Sequence, residues 1–490
     1  MMDGIFREMS RRSWPGRAAA TSLPQGFPAR GLRRALPPAG AGSDISPGDA
    51  PGRSRRPSPG KPPPLPCLTR PNRYIERTVA AKLAANSRQG GRRDARCRGP
   101  RHMQHPHSKG SGHPHGMGSG HPGGHPLGHP GGHPQTGPAG APPLRLVAWE
   151  VTRACNLACK HCRAEACLDP WPGEFDTKDA KALIDTFPET GSPIIIFTGG
   201  EPLLRPDIFD LVRHARSRDL RCVMAPNGTL VTPENAREIK ASGIARCSIS
   251  IDAPTAADHD DFRGVPGAFE GALRGIEYLK SAGMEFQINT TVTRHNMGNF
   301  KEIFKLAEKL GAAAWHIFLL VPTGRAAQLG AEIITAKEYE EVLNWFYDFR
   351  KTTTMHLKAT CAPHYYRIMR QRAKAEGLAV TPDTFGMDAM TRGCLGGTGF
   401  CFISAVGQVQ PCGYLDLDCG QVREKPFPEI WRTSRQFLQF RNKEEYEGKC
   451  GVCQYHRVCG GCRARAQTMS GNYMAPEPLC DYTPPKAGEE

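Results

Sequence analysis

The chain has 490 residues, enough for about three domains at roughly 150 residues each, but its first 143 residues contain 24 Pro and 24 Gly. That share exceeds the roughly 25–30% at which a non-periodic chain is more often disordered than packed, so no core is expected there. Residues 1–102 also carry 21 Lys and Arg against 6 Asp and Glu, nearly all of the net charge of +16, which excludes a folded nucleic-acid-binding domain because its basic residues would belong on the packed part.

Secretion and membrane insertion are not expected either. The N-terminal stretch lacks the apolar run of a signal peptide, and no apolar run approaches the roughly 18 residues of a membrane span. Arg11-Arg12 resembles a twin-arginine signal, but Gly, Pro and Arg interrupt the stretch after it, where a hydrophobic run would be needed. Of the 18 Cys, only Cys67 and Cys97 precede residue 144, and the others cluster at short spacings. Metal-bound thiolates in a reducing cytoplasm fit this pattern better than a disulfide scaffold.

In chain order, residues 1–102 read as a disordered basic Arg/Pro-rich tail. Its bias is what GC-rich DNA gives when translated ahead of a true start, and natural translation is expected to begin at Met103. Residues 103–143 form a second low-complexity segment. Nine His lie between His102 and His133, separated by Gly and Pro that prevent helix or strand. Imidazoles on such a chain can gather a soft or borderline metal or an iron porphyrin; the plain alternative is a solvated linker.

From Leu144 short apolar runs alternate with amphipathic stretches, the pattern of repeated strand-helix units. Strands are predicted at 145–152, 193–198, 221–225, 246–251, 285–292 and 314–321. Six such units make an α/β fold, a partial (β/α)6 TIM-type barrel over 144–351, with its chemistry at the C-terminal ends of the strands. The first strand leads into Cys155-x3-Cys159-x2-Cys162. Three thiolates on one loop can hold three irons of a cubane and leave the fourth open to a ligand. A zinc site completed by His161 or Cys167 is the alternative. The second strand ends in Thr198-Gly199-Gly200-Glu201-Pro202.

Residues 352–393 read as a linker or substrate-side insertion. Over 394–484 the cysteines fall as Cys394-x6-Cys401-x10-Cys412 and Cys450-x2-Cys453-x5-Cys459-x2-Cys462-x17-Cys480. These eight thiolates suffice for two four-cysteine clusters, while the paired C-x2-C steps would also suit a zinc ribbon. Cys222, Cys247 and Cys419 are expected to pack.

The three-cysteine loop and the Gly-Gly-Glu-Pro turn carry a resemblance to the radical S-adenosylmethionine (SAM) superfamily, over residues 145 to about 484. The later cysteines, with Gly407 before Cys412, are similar to the superfamily's SPASM extension. The resemblance implies a 4Fe-4S cluster on Cys155, Cys159 and Cys162, whose open iron chelates the methionine moiety of SAM. It assigns the ammonium to the Gly199-Gly200-Glu201-Pro202 turn and the ribose to Ser250, at the end of the fourth strand. It also implies one auxiliary 4Fe-4S cluster on Cys394, Cys401, Cys412 and Cys462, and a second on Cys450, Cys453, Cys459 and Cys480. The family's usual C-x3-C stands here as C-x2-C.

The stretches WEVTRACNLACKHCRAEA, WHIFLLVPTGRA, KATCAPHYYR, QPCGYLDLDCG and CGGCRARAQ resemble the branch of the superfamily that modifies tetrapyrroles. That resemblance implies oxidative decarboxylation of two propionates of Fe-coproporphyrin III to vinyl groups, giving haem b, with a low-potential electron donor as partner. Removal of acetate side chains from didecarboxysirohaem and maturation of a peptide are the radical alternatives. A metal or haem carrier is the non-enzymatic one, and a methionine-binding turn counts against it. For an iron tetrapyrrole, Arg325 is the candidate propionate partner, and His364 and His316 are the candidate axial ligands.

Overall fold

The computed structural model describes residues 140–485. The expectations for the basic tail, the start at Met103 and the nine clustered His fall outside those residues. The strands are β1 (Leu146–Glu150), β2 (Ile194–Thr198), β3 (Cys222–Met224), β4 (Ile244–Ser250), β5 (Phe286–Val292), β6 (Ala314–Leu319), β7 (His356–Thr360), β8 (Phe400–Ile403), β9 (Gln408–Gln410) and β10 (Gly420–Gln421). They form one sheet in the order β10-β9-β8-β1-β2-β3-β4-β5-β6-β7. β1 to β7 run parallel, β8 is parallel to β1, and β9 and β10 are antiparallel additions. The sheet is open, with β7 and β10 as its edges.

Alternation along the strands decides what each face carries. Cys247 and Ile249 on β4, Ile288 and Val292 on β5, and Trp315, Ile317 and Leu319 on β6 enter the main apolar core. Trp315 packs there against Phe300, Phe304, Phe346 and Phe349 of the covering helices. The intervening residues lie on the lumen side and are mostly polar: Ser248 and Ser250, Gln287 and Asn289, and His316, with Phe318 as the apolar exception. Several helices start on side-chain caps, as at Thr335, whose hydroxyl accepts from Glu338 N while Glu338 reciprocates on the Thr335 amide. Loss of such a cap costs about 1 kcal/mol.

All six predicted strands are present, within one or two residues at most ends. Two parallel strands of the same sheet lie beyond the limits read for the barrel. β7 lies inside the segment read as a linker, where His356-Leu-Lys-Ala-Thr360 gives only two buried positions. β8 lies inside the segment read as a separate cysteine module, yet it extends the barrel sheet beside β1, Val147 pairing with Cys401. The described residues accordingly belong to one compact unit. No described helix is long and apolar enough to cross a membrane.

Candidate active site

The three-cysteine loop leaves the C-terminal end of β1 and is held by backbone from three directions. Cys155 N donates to Cys167 O at 2.6 Å, Lys160 N to Phe262 O at 3.0 Å, and Arg325 N to Cys162 O at 3.0 Å. The Arg325 guanidinium adds bonds from Nε to Cys159 O at 2.8 Å and from Nη1 to Ala166 O at 3.0 Å. Arg325 thus clamps the loop through Nε and Nη1, while its buried Nη2 has no hydrogen-bond partner. Gly324 before it has φ +58, and a Cβ there would lie 2.4 Å from Arg163 O. Only glycine lets this clamp approach the loop so closely.

The loop thiols are poised for metal rather than for free reactivity. Burial, reinforced by the Glu201 carboxylate, pushes the Cys155 thiol up to about 12. Burial also raises Cys159, although Arg263 Nη1 donates to its sulfur at 3.6 Å. Neutral thiols of this kind lose their protons when a cation takes the proton's place. Arg263 is itself buried and paired with buried Asp252. No local motif could have joined Asp252, two residues past Ser250, to an arginine on the following helix.

A zinc site on this loop fits the geometry less well. The His161 ring stacks on Phe262 with centroids 4.2 Å apart, and Cys167 lies exposed. Among the described residues no three His, Cys, Asp or Glu converge on a single-ion centre. Tetrahedral zinc requires four donors within roughly 2.3 Å of one point, whereas a cubane spreads its thiolates over separate irons.

The Gly199-Gly200-Glu201-Pro202 turn packs directly on the residues after β1. Gly200 N donates to Thr152 O and Glu201 N to Ala154 O, both at 2.7 Å. A Cβ on Gly200 would fall 2.2 Å from Ala154 O. Glu201 is fully buried; its Oε1 accepts from Leu203 N at 3.0 Å and its Oε2 from Asn227 N at 2.6 Å. Burial pushes its carboxyl up to about 7 against those two donors. The turn therefore brings a carboxylate and free backbone carbonyl capacity beside Cys155. Ser250 ends β4 on the lumen side, its backbone in register with Asn289.

The later cysteines divide into two groups, one of which differs from expectation. Cys450, Cys453, Cys459 and Cys480 line a single cavity together with His364, Arg367 and Glu477. Cys412, Cys462 and Cys361 pack in one apolar cluster with Val321, Leu415 and Phe440. After burial, the main influence raising the Cys361 thiol is the proximity of Cys462, Cys412 and Cys394. Cys401 is not in this group. It is fully buried in the main core on β8, and its cysteine neighbour is Cys419. The pleat of β8 turns Cys401 toward the same core that holds Ile430, Trp431 and Phe437. Cys361, in the KATCAPHYYR stretch just past β7, stands where Cys401 was expected. Cys222, Cys247 and Cys419 are packed in the core.

The two candidate axial histidines separate. His316 faces the lumen from β6, with Gln287 Nε2 3.0 Å from its Nδ1 and no partner on Nε2. Burial, followed by His356, holds it well below its ordinary pKa, so the ring is neutral and able to ligate. His364 instead lines the cavity of Cys450, Cys453, Cys459 and Cys480, edge-on to Tyr339. This corrects its predicted role over the substrate.

A further buried pair, not anticipated from the sequence, ties the later cysteines to the barrel. Arg465 donates to Leu319 O, Leu320 O and Cys361 O and to Glu477 Oε1, while Glu477 Oε2 accepts from Cys462 N at 2.6 Å. Both side chains are fully buried.

A three-thiol loop at the mouth of a parallel α/β barrel, beside a buried carboxylate turn and followed by cysteine-lined sites, defines the radical SAM class with an iron-sulfur extension. The Radical SAM superfamily model matches residues 149–307, and the SPASM iron-sulfur cluster-binding domain model matches residues 394–460. The AdoMet-dependent heme synthase of Nitratidesulfovibrio vulgaris is 73% identical over 344 residues, covering 70% of this chain and 94% of that protein. The AdoMet-dependent heme synthase of Methanosarcina barkeri is 51% identical over 342 residues, covering 70% of this chain and 97% of that one. The crystal structure of Streptococcus suis SuiB bound to S-adenosylmethionine aligns with a TM-score of 0.54 at 15% identity, over 69% of this chain and 78% of that one. That likeness shows the fold. The chain belongs to the AdoMet-dependent heme synthase family of the radical SAM superfamily. It is a radical SAM enzyme of haem synthesis, using a 4Fe-4S cluster, SAM and auxiliary iron-sulfur clusters.

Proposed function

We propose that the chain converts two propionate side chains of Fe-coproporphyrin III to vinyl groups, giving haem b. The observation that carries this reading is the gathering of three loop thiols, two of them buried, and buried Glu201 at the ends of β1 and β2, in a chain 73% identical to a heme synthase. Each propionate must lose a β-hydrogen atom, carbon dioxide and one further electron. The clusters, when bound, supply the electron that opens SAM and accept the electron the substrate releases.

The chain's residues bind, orient and exclude. Cys155, Cys159 and Cys162 hold the cluster that meets SAM, on a loop fixed by Arg325 and by the Arg263 contact to Cys159. Gly200 O and Glu201 receive the methionine ammonium at the turn packed on Thr152 and Ala154, and Ser250 meets the ribose. Cys361, Cys394, Cys412 and Cys462 form one auxiliary site, and Cys450, Cys453, Cys459 and Cys480 the other. His316 offers its unpartnered Nε2 to the substrate iron from the lumen. Lys358, its register partner on β7, is engaged with Tyr366 Oη and Asp388 and keeps its charge beside the ring.

Anaerobic reconstitution with Fe-coproporphyrin III, SAM and a reductant, followed by mass spectrometry, tests the reading. The expected result is a product with two vinyl groups, formed with two methionines released per porphyrin. Turnover of didecarboxysirohaem with none of Fe-coproporphyrin III would overturn it in favour of deacetylation.

Glu201 makes SAM binding depend on pH. Its carboxyl, raised to about 7, is protonated below that value and then cannot pair with an ammonium. SAM affinity should therefore weaken as pH falls through about 7, approaching tenfold per unit. Glu201→Gln should bind weakly and flatten the profile. Equilibrium binding of SAM to anaerobically reconstituted protein between pH 6 and 9 measures this; an unchanged slope in the variant would remove Glu201 from the ammonium site.

A further inference from the structure

The cavity lined by Cys450, Cys453, Cys459 and Cys480 contains one buried polar side chain with no partner of its own. His364 is 1% exposed, and neither ring nitrogen has a hydrogen-bond partner. Its ring is braced edge-on against Tyr339, with centroids 4.7 Å apart. The other polar side chains of the wall each have at least one partner: Arg367 donates to Glu340 at 2.9 Å, Lys449 to Cys480 O, His456 Nδ1 lies 2.7 Å from Cys453 O, and Glu477 accepts from Cys462 N and Arg465, although Arg367 Nε and His456 Nε2 stay unpartnered. An imidazole carries at least one N–H donor whether neutral or protonated. Buried donors in native proteins are paired as a rule, and an orphan marks an absent acceptor.

We propose that His364 donates its N–H to a sulfur of the iron-sulfur group held by Cys450, Cys453, Cys459 and Cys480, and so raises that group's reduction potential as a positioning and tuning residue. The inference rests on the assignment of those four thiols to an auxiliary cluster. A donor aimed at sulfur stabilises the extra negative charge of the reduced state, one of the levers by which proteins set cluster potentials. His364 lies immediately before the helix Tyr365–Ala375, whose Arg367 lines the same cavity. The segment joining the barrel to the cysteine-rich region thus supplies polar groups to a site whose thiols all come from later in the chain.

The test is a potentiometric titration followed by electron paramagnetic resonance, on full-length protein carrying Cys155, Cys159 and Cys162→Ala so that only the later clusters contribute. The signal lost in Cys453→Ser/Cys480→Ser identifies the cluster. His364→Phe should shift that component to more negative potential, by about 59 mV for each tenfold change in the reduced-to-oxidised ratio, with the other component unmoved. His364→Gln, which keeps a donor, should stay close to the parent. A His364→Phe protein of parent iron content and unshifted potential would overturn the proposal. If His364→Phe loses the iron of that site, retention in His364→Gln supports the donor role and loss in both overturns it. If removing the two thiols abolishes no signal, the cluster assignment fails and the hydrogen bond with it.

Discussion

Replacing Cys155, Cys159 and Cys162 together with Ala should abolish methionine release from SAM while leaving iron and sulfide at the later sites. The three thiols share one loop after β1, whereas the other two groups are held by segments beyond β7. Iron should fall from roughly twelve to roughly eight per chain, at four per cubane. Iron and sulfide analysis with chromatography of the SAM products checks both halves of the expectation. Loss of all iron would show that the later sites cannot assemble without the first loop.

The second large effect is on stability and concerns Arg465 and Glu477. Both are fully buried, and each would strand the other's charge if removed. Arg465→Met or Glu477→Ala alone should cost about 3–5 kcal/mol, while the double variant Arg465→Met/Glu477→Leu should cost less than the sum because no orphan charge remains. Against a typical total of about 5–15 kcal/mol, a single loss would be visible as a lower guanidinium midpoint. Burial is the largest single influence and opposes ionisation of Glu477, but Arg465 together with its other cationic neighbours and the Cys462 amide outweighs it and holds the carboxyl below its ordinary 4.5. The stabilisation is therefore complete above pH 4.5 and lost as pH falls through the lower folded value. Glu477→Gln should remove that acid-labile component, and a midpoint whose acid dependence is unchanged would disprove it.

Legibility in the sequence followed distance along the chain. The strands of the barrel are short apolar runs with local boundaries, and the first loop and the Gly-Gly-Glu-Pro turn are contiguous motifs whose neighbours in the fold are each other. β7 escaped because Lys358 and Thr360 face the lumen, leaving too little apolar pattern in five residues. Cys401 misled because a C-x6-C step looks like ligand spacing until the chain is seen to enter a strand whose pleat decides the direction of each side chain. The partnerships of Arg263 with Asp252, and of Arg465 with Glu477 and Cys361 O, join separate elements and leave no spacing to read.

The place of β8 beside β1 imposes an order on the protein's own biosynthesis. β1 and its cysteine loop leave the ribosome early, but the strand that completes β1's hydrogen bonding emerges only after the rest of the barrel; Ala405 N reaches Glu150 Oε1 across 255 residues. At roughly 5–20 residues per second, the loop that receives the first cluster waits tens of seconds with one flank of its strand uncovered. Iron delivered during that interval would meet a half-built cradle, because both sides of β1 are paired only once β8 has joined the sheet.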